Sequence, residues 1–256
     1  CVSEFLGIDH KLKDFDIVDR LVIDKARPTT FKKRYMVENQ KIFRVSEIEE
    51  NCVAEQVEDQ LISILREVGR EVNTIIVSDF VYGTITKKVL ETIEDISTNY
   101  NIRIIGDIQC SSQVGSLLKF NNYDLLCPNE KEMRWAFQDK HSGIELLAQR
   151  LLNDGYCQNL ILKLSSKGFI TYSRDDNNCI TSQQFPALCV NPLDVTGAGD
   201  SILAVFSAAI SSGVDIMVAS AIAAVVAGLS VNKMGNKPIT CLEVIEYMKR
   251  FEDLNC

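Results

Sequence analysis

Residues that build metal centres and disulfide frameworks are scarce or poorly placed in this sequence. It has 2 histidines, His10 and His141, and no two of its 9 cysteines have the close spacing of a metal site. The odd number of cysteines argues against a full disulfide framework. We therefore expect reduced, mostly buried thiols and a cytoplasmic protein.

An excess of basic residues is also missing. The chain has 27 lysines and arginines against 35 aspartates and glutamates, and its net charge is −8. It therefore has no general positive charge with which to neutralise phosphates, and this excludes non-specific nucleic-acid binding.

Long apolar runs are missing as well. The most apolar stretch, 216–231, is rich in alanine and is broken by Ser220, Gly228 and Ser230. A membrane span needs about 20 predominantly apolar residues, so this stretch predicts a buried helix and no membrane partner.

The chain does have enough apolar sequence for a sizeable core. At 256 residues, with 46% hydrophobic and 24% charged residues, it has the composition of a globular protein. Its length fits a single domain over residues 1–256.

Short apolar strand patterns alternate with amphipathic helical patterns along most of the chain. This alternation predicts an α/β fold with a mostly parallel sheet and a ligand at the carboxyl ends of the strands. A strand at Asp16–Ile23 and a hairpin formed by Phe31–Val37 and Lys41–Val45 precede the parallel strands. The predicted parallel strands are Thr74–Ser78, Ile102–Gly106, Asp124–Cys127 and Leu160–Leu164.

A glycine-rich stretch stands directly before the apolar run Ser201–Ile210. Gly197, Ala198 and Gly199 allow a backbone to approach a ligand, and the first turn of a helix offers free N–H groups to an anion such as phosphate. Asp200 would repel phosphate, but it is explained if its carboxylate takes a proton from an attacking hydroxyl. The alternative is a glycine turn with an acidic residue matched to the helix dipole, and spacing alone does not decide between the two.

The segment Asp194–Asp200, with the sequence DVTGAGD, resembles the C-terminal signature of the ribokinase (pfkB) family of sugar kinases. The resemblance implies ATP-dependent phosphorylation of a sugar hydroxyl with Mg²⁺. Asp200 would be the catalytic base, and the amides of Gly197, Ala198 and Gly199 would form the anion hole. The implied fold is a ribokinase-like three-layer α/β/α domain, here without its N-terminal segment.

The segment Asn129–Glu132 allows two interpretations. Asn129 followed three residues later by Glu132 is the pattern of a helix capping box. It also resembles the family's Asn-x-x-Glu motif, which implies that Asn129, Glu130, Lys131 and Glu132 bind nucleotide phosphates. Glu132 would bind the metal through a water molecule. Both interpretations can hold, because a capped helix can present Glu132 to a metal-bound water.

The segment Lys163–Gly168, with the sequence KLSSKG, resembles the family's nucleotide loop Lys-Leu-Gly-x-x-Gly, with Ser165 in place of the first glycine. An ordinary hairpin turn is the alternative. The resemblance adds Lys163, Ser165 and Gly168 to the nucleotide-binding residues, together with Thr196, Gly197 and Gly199 from the glycine-rich stretch.

Three cations lie on the predicted hairpin. Lys32 and Arg34 share one face by alternation, and Arg44 follows on the return strand. Charged residues that protect a sheet edge are one explanation. The surrounding sequence, from Pro28 to Arg44, is similar to the heptose-7-phosphate kinase branch of the family, which also occurs fused to a nucleotidyltransferase. This implies that the three cations bind a phosphorylated sugar.

The resemblance therefore implies a sugar kinase with ATP, Mg²⁺ and a sugar or sugar phosphate as its small-molecule partners, and it leaves homodimerisation open. Residues 16–46 would form the strand and hairpin region on the substrate side of the single domain. Two alternatives remain: a non-catalytic nucleotide- or sugar-binding module of the same fold, and an adenosine- or ribose-type kinase. Tyr82 and Gln109 stand where the family commonly has lysine.

Overall fold

The computed structural model describes residues 17–37, 40–110, 115–175, 177–235 and 237–253. The chain forms two compact units. The first contains residues 1–72 and 81–100, and the second contains residues 73–80 and 101–256.

The first unit contains a β-hairpin and two helices. Strands β1 (Phe31–Val37) and β2 (Gln40–Glu47) pair antiparallel, as predicted. Helices α1 (Glu55–Val68) and α2 (Lys87–Tyr100) contact each other. The side chains that α2 buries recur at helical spacing and are Val89, Leu90, Thr92, Ile93 and Ile96.

The strand predicted at Asp16–Ile23 is not formed by the described part of that segment, residues 17–23. Asp16 lies outside the described residues. A strand needs a partner for its backbone N–H and C=O groups, and the apolar pattern of this segment was the only signal behind the prediction. Its apolar side chains Ile17, Val18, Leu21 and Ile23 are exposed.

The second unit is built on one six-stranded sheet with strands in the order β3-β4-β5-β6-β7-β8. The first four strands are parallel to one another, and β7 and β8 add antiparallel at one edge. The strands are β3 (Thr74–Asp79), β4 (Arg103–Ile108), β5 (Tyr123–Leu126), β6 (Cys157–Lys163), β7 (Phe169–Arg174) and β8 (Ile180–Phe185). The predicted parallel strands are therefore confirmed to within three residues at each end.

Strand β8 was not predicted because its sequence is mostly polar. Only Ile180 and Phe185 are apolar in this segment, and of the two only Phe185 is buried. An edge strand needs little apolar surface, since it is held by the backbone hydrogen bonds of its single neighbour.

Helices cover both faces of the sheet, which confirms the predicted α/β fold. On one face, α5 and α6 pack on the sheet through Phe206, Ala219 and Ala223, against Ile161 and Phe169 of the strands. Leu160 and Leu162 alternate with Ile161 and therefore face the other side, where α4 contacts β6. Helices in this unit are α3 (Glu130–Phe137), α4 (Ile144–Asn153), α5 (Ala198–Ser211), α6 (Ile216–Val231) and α7 (Cys241–Asp253).

The apolar stretch 216–231 forms helix α6, and half of its residues are buried. This confirms the prediction of a buried helix. Among the described residues, no helix has the length and apolarity needed to cross a membrane.

The prediction of mostly buried thiols does not hold among the described cysteines. Of these, Cys110, Cys127 and Cys157 are buried, Cys189 is half-buried, and Cys52, Cys179 and Cys241 are exposed. The buried ones lie on or next to strands of the sheet, where a small apolar side chain packs well. Burial raises the pKa of Cys157 to about 12, so this thiol stays protonated at neutral pH.

Candidate active site

The segments that follow β4, β5 and β6 meet the start of α5 at one edge of the sheet of the second unit. They surround a cavity of about 810 Å³, called cavity 1 here. This is the carboxyl edge of the parallel strands, where ligands bind in open α/β sheets. Cavity 1 is lined by residues from three of the sequence motifs, namely Asn129, Glu130, Lys131, Glu132, Lys163, Ser165, Gly197, Gly199 and Asp200.

The glycine-rich stretch forms the start of α5. Gly197 has φ 83, in the left-handed region that favours glycine, and the helix begins at Ala198. The amide of Ser201 donates to the carbonyl of Gly197 at 2.9 Å, and the amide of Ala198 donates to the carbonyl of Val195 at 3.4 Å. The other amides of the first turn lie at the free end of the helix. The geometry therefore offers backbone donors to an anion, with exposed Asp200 in the same turn.

A partly buried lysine lies next to this helix start. A side chain added to Gly199 would come within 3.6 Å of Lys163 Nζ. Lys163 Nζ donates to Asp107 Oδ1 at 2.8 Å, and only 18% of the lysine side chain is exposed. The ammonium group thus adds a positive charge to the N-terminal end of the α5 dipole.

Asp107 and Lys163 hold each other charged in a poorly solvated place. Burial raises the pKa of Asp107, and the ammonium of Lys163 opposes that rise. Burial alone would lower the pKa of Lys163, but the Asp107 carboxylate, together with Cys127 and Glu132, outweighs burial, and the pKa lies above its ordinary value. The lysine is therefore a permanent cation at the wall of cavity 1.

Asp200 is tied to this pair through a glutamine. Gln109 Nε2 donates to Asp200 Oδ1 at 2.9 Å and approaches Asp107 Oδ2 at 3.4 Å. The motifs did not single out Gln109 or Asp107 as site residues. The signal that could have found them is their place directly after a predicted parallel strand, since strand ends of this kind line ligand sites.

The predicted capping box is present at the start of α3. Asn129 Oδ1 accepts from the Glu132 amide at 2.9 Å, and Glu132 Oε2 accepts from the Asn129 amide at 2.8 Å. Glu132 Oε1 also accepts from the amide of Cys110 at 3.2 Å. Burial raises the pKa of Glu132, and these backbone donors oppose the rise. The structure therefore confirms the capping interpretation.

The same carboxylate fits a metal only as an indirect ligand. Each oxygen of Glu132 already accepts one backbone N–H and keeps one lone-pair direction for a water molecule. Within the described ranges, no group of three or more His, Cys, Asp or Glu side chains could hold a metal ion. This fits Mg²⁺, which keeps several waters and binds through one or two carboxylates plus substrate phosphates.

Helix α3 brings further side chains to cavity 1 that the sequence motifs did not include. Lys131 Nζ lies 4.3 Å from the ring centroid of Trp135, and Arg134 Nη2 pairs with Glu130 at 2.9 Å. Trp135, Arg134 and Lys140 all line the cavity. Both contacts join residues four apart on one helix, a spacing that could have indicated them.

A second cavity of about 570 Å³, called cavity 2 here, adjoins the first. Lys163, Ser165 and Gly199 line both cavities. Gly168 and Ala198 line only cavity 2. Its other walls are mostly apolar and include Phe169, Leu188, Val190, Pro192, Val195, Ile202, Ala224, Ala227 and Val231.

The remaining predicted nucleotide residue, Thr196, lies apart from both linings. It is exposed, and its amide donates to Asp194 Oδ1 at 2.9 Å. Thr196 thus helps to shape the turn that leads into α5.

Two residues of the loop between β6 and β7 adopt left-handed backbone conformations. Gly168 has φ 86, and an added Cβ would lie 2.0 Å from the carbonyl oxygen of Phe185, so only glycine fits there. Ser165 has φ 56, although it carries a side chain. The serine thus adopts the conformation that glycine takes most easily, at the place where the family's loop has glycine.

The three predicted substrate cations lie in the first unit, on the hairpin. Arg34 is directly opposite Arg44 in the β1–β2 register, and Lys32 is two residues along the same face. Lys32 Nζ lies 4.9 Å from the ring centroid of Tyr82. The register therefore places all three cationic residues on one face of the hairpin.

The sequence of the chain matches a known family over almost its whole length. Residues 10–241 fit the model of the pfkB family carbohydrate kinases. The chain belongs to the pfkB family. One relative is the bifunctional protein HldE of Geobacter metallireducens, 29% identical over 233 residues that cover 88% of this chain and 45% of the relative. The chain spans about half the length of relatives of this kind.

Solved structures show the same fold. The ribokinase of Giardia lamblia superposes with a TM-score of 0.72 at 16% identity, covering 96% of this chain and 78% of that one. Phosphofructokinase-2 from Escherichia coli in complex with potassium gives a TM-score of 0.67 at 15% identity, covering 82% and 67%. These similarities confirm the predicted ribokinase-like fold.

Proposed function

We propose that this chain transfers the γ-phosphoryl group of ATP to a hydroxyl of a sugar phosphate, with a heptose 7-phosphate as the candidate substrate. The observation that carries the proposal is the start of α5, where Asp200 stands in the same turn as the Gly197 and Gly199 backbone, and where the Lys163 ammonium lies beside Gly199. A proton acceptor and an anion site lie together there, as phosphoryl transfer requires.

Asp200 is the proton acceptor in this proposal. Its carboxylate takes the proton of the sugar hydroxyl as the oxygen attacks the γ-phosphorus in line with the leaving oxygen. The transition state is loose, and its negative charge lies on the phosphoryl oxygens. The amides of Gly197 and Gly199, two residues that line cavity 1, would donate to those oxygens. The third predicted donor, the Ala198 amide, already donates to the carbonyl of Val195 at 3.4 Å, and Ala198 lines only cavity 2.

Lys163 supports the same step by its charge. Its ammonium lies behind Gly199 and is held there by Asp107 at 2.8 Å. Preorganised charges of this kind stabilise a transition state because they need not reorient during the reaction. Mg²⁺ would neutralise phosphate charge when it is bound, and Glu132 would hold it through a water molecule.

The two cavities suggest how ATP would lie. The triphosphate fits the polar cavity 1, where Lys131, Lys163 and the start of α5 supply positive charge. The adenine fits the apolar cavity 2, since an aromatic base gains from contact with apolar walls. Ser165 and the other residues shared by the two cavities would then lie near the ribose of ATP, where it joins the phosphates.

The first test is whether the protein binds and uses ATP. Binding of Mg·ATP at 100 times its Kd should stabilise the fold by about 2.7 kcal/mol, which a thermal melt detects. Transfer of label from γ-labelled ATP to a panel of sugars and sugar phosphates then measures activity. A thermal shift without transfer to any sugar would favour the non-catalytic binding module instead.

The hairpin cations support a phosphorylated substrate. Arg34 and Arg44 can each hold a phosphate with two parallel hydrogen bonds, and Lys32 adds a point charge. The name of the relatives includes no substrate, so the choice of heptose 7-phosphate rests on the hairpin sequence from Pro28 to Arg44.

A substitution at Arg34 tests the substrate charge. Arg34→Ala should raise KM for heptose 7-phosphate roughly tenfold to a hundredfold, because a hydrogen bond to a charged group contributes about 1.5–3 kcal/mol. KM for ATP should not change. Arg66→Ala, at an exposed position of α1, is the matched control. If Arg34→Ala affects the unphosphorylated sugar equally, the cations only protect a sheet edge.

Homodimerisation also belongs to the proposal, on a separate observation. The hairpin face opposite the three cations exposes Phe31, Tyr35, Phe43 and Val45, and the rings of Tyr35 and Phe43 stack at 4.3 Å. Lys33 lies on the same face, with its Nζ 5.0 Å from the ring centroid of Tyr35. A mainly apolar exposed face of this kind is typical of an association surface. Light scattering of the native protein and of Phe43→Ser should show a dimer and a monomer, respectively. A native monomer at micromolar concentration contradicts this part.

A further inference from the structure

Gln109 is held rigidly between two carboxylates. Its backbone amide donates to the carbonyl of Asp79 at 2.8 Å, which continues the β3–β4 pairing past the end of β4. The amide of the next residue, Cys110, donates to Glu132 Oε1 at 3.2 Å. The main chain on both sides of the Gln109 side chain is thus fixed to the sheet and to α3.

The side-chain amide of Gln109 has one chemically sensible orientation. Its nitrogen lies 2.9 Å from Asp200 Oδ1 and 3.4 Å from Asp107 Oδ2. The reverse orientation would place the amide oxygen against two carboxylates, which only accept hydrogen bonds. The two N–H groups therefore face one carboxylate each.

The charges behind Gln109 strengthen this arrangement. Asp107 is almost fully buried and is neutralised by Lys163 at 2.8 Å, so its carboxylate is fixed as an acceptor. Asp200 is exposed, and an exposed side chain on a helix can adopt more than one staggered rotamer unless a contact selects one. Gln109 thus connects a buried carboxylate with an exposed one.

We propose that Gln109 is a positioning residue for Asp200: it binds Oδ1 and so presents Oδ2 to the hydroxyl that is phosphorylated. This inference rests on the proposed kinase function, in which Asp200 accepts the proton. Without Gln109, the Asp200 carboxylate would rotate away from the reacting hydroxyl in a large fraction of molecules. A loss of orientation of this kind lowers kcat and leaves the nucleotide contacts intact.

The first arm of the test needs no activity. In ¹⁵N-labelled protein, the side-chain amide signals of Gln109 are assigned by their loss in Gln109→Met. We expect these signals to move in Asp200→Asn, because the acceptor changes from a charged to a neutral group. Asp215→Asn, at the start of α6, should leave them in place. If the side-chain amide signals of Gln109 keep their chemical shifts in Asp200→Asn, the proposal is overturned.

The second arm measures turnover with Mg·ATP and heptose 7-phosphate. Gln109→Met keeps the length of the side chain and removes its hydrogen bonds, so we expect kcat to fall about tenfold while KM for Mg·ATP changes less than twofold. Gln109→Glu places a third carboxylate against Asp107 and Asp200 and should lose more. Gln158→Met, at an exposed position of β6, is the matched control.

The outcomes separate this inference from the proposed function. A native kcat in Gln109→Met, or an equal change in kcat and in KM for Mg·ATP, overturns the positioning role. If the native protein phosphorylates no sugar, the proposed function has failed. The amide signals then still decide whether Gln109 holds Asp200.

Discussion

The two cavities of the second unit share three wall residues and otherwise differ in chemistry. Cavity 1 is lined by charged groups, among them Lys131, Glu132 and Asp200. Cavity 2 is lined mainly by apolar side chains that come from β7, the segment after β8, and helices α5 and α6. One edge of the sheet thus carries a charged compartment and an apolar one side by side.

The difference indicates that the two cavities recognise different parts of one ligand by different interactions. Fixed charges recognise phosphate groups through strong, directional interactions. Apolar walls recognise a flat base mainly by shape and by burial, at about 25 cal/mol for each Å² of apolar surface removed from water. Substitutions in cavity 1 should therefore affect chemistry, whereas substitutions in cavity 2 should affect affinity for the nucleotide.

The largest effect on catalysis is expected for a substitution at Asp200. Asp200→Asn should lower kcat by about 10²–10⁴, the usual contribution of a positioned base, and leave Mg·ATP binding nearly unchanged. Steady-state kinetics and a binding titration measure the two effects. Asp59→Asn, an exposed position of α1, serves as the control. More than half of the native activity in Asp200→Asn would exclude the role of base.

The next largest effect is expected on the stability of the fold, for a substitution at Lys163, which lines both cavities. Lys163→Met leaves the buried carboxylates of Asp107 and Glu132 without their cation, so the free energy of unfolding should fall by about 3–5 kcal/mol near neutral pH. Lys167→Met, an exposed lysine on the same loop, should have little effect. Urea unfolding curves of the three proteins provide the comparison.

The pH dependence of that loss has a definite sign. Burial raises the pKa of Asp107 and of Glu132, and the Lys163 ammonium opposes both shifts. A carboxyl with a raised pKa favours folding at low pH and loses that contribution as pH rises through its folded pKa. Without the ammonium both pKa values rise further, so the loss in Lys163→Met should shrink as pH falls from about 7 to about 5. A loss that is constant over this range would contradict the buried-pair explanation.

Cavity 2 can be tested by filling it. Ala227→Leu adds bulk to the apolar wall, and overpacking of this kind costs about 1–3 kcal/mol, so Kd for Mg·ATP should rise roughly tenfold to a hundredfold. Inorganic triphosphate, which would occupy cavity 1 alone, should bind as before. The single tryptophan, Trp135, lies in cavity 1 and provides a fluorescence signal for both titrations.

Ala221→Leu is the matched control for that substitution, since it lies on the exposed side of the same helix. An equal loss of ATP and triphosphate binding in Ala227→Leu would mean that the two cavities do not divide the ligand as described.

The smallest effect is expected at Ser165, which lines both cavities. Its φ of 56 costs a side-chain-bearing residue about 1–2 kcal/mol, so Ser165→Gly should stabilise the fold by about 1 kcal/mol. Ser166→Gly, at the next position, should instead destabilise it slightly. The urea midpoint of each variant decides the matter, and a lower midpoint for Ser165→Gly would show that its side chain contributes more than its backbone strain costs.

Local patterns predicted local structure well in this chain. The capping box predicted at Asn129 and Glu132 is formed, and helix α3 begins directly after Asn129. Period and capping residues act within a few positions, so one stretch of sequence contains the whole signal. The glycine-rich stretch was recognised for the same reason.

Such local patterns do not predict contacts between segments that are distant in the sequence. Gln109 and Asp200 are 91 positions apart, and only the order of strands brings them together. Cavity 2 was missed because several of its walls, such as Leu188, Val190 and Pro192, come from the connection between β8 and α5, which has no motif of its own. The predicted strand at Asp16–Ile23 failed for the complementary reason, since an apolar pattern does not reveal whether a pairing partner is present.

The strand order of the second unit has a consequence for how the chain assembles. From β3 to β8, every strand lies beside the one that precedes it in the sequence. Each new strand can therefore pair with a neighbour that the ribosome has already delivered, and the sheet can grow outward from one edge during synthesis. Because α5 comes after all six strands, the turn that carries Asp200 reaches a surface that is already complete.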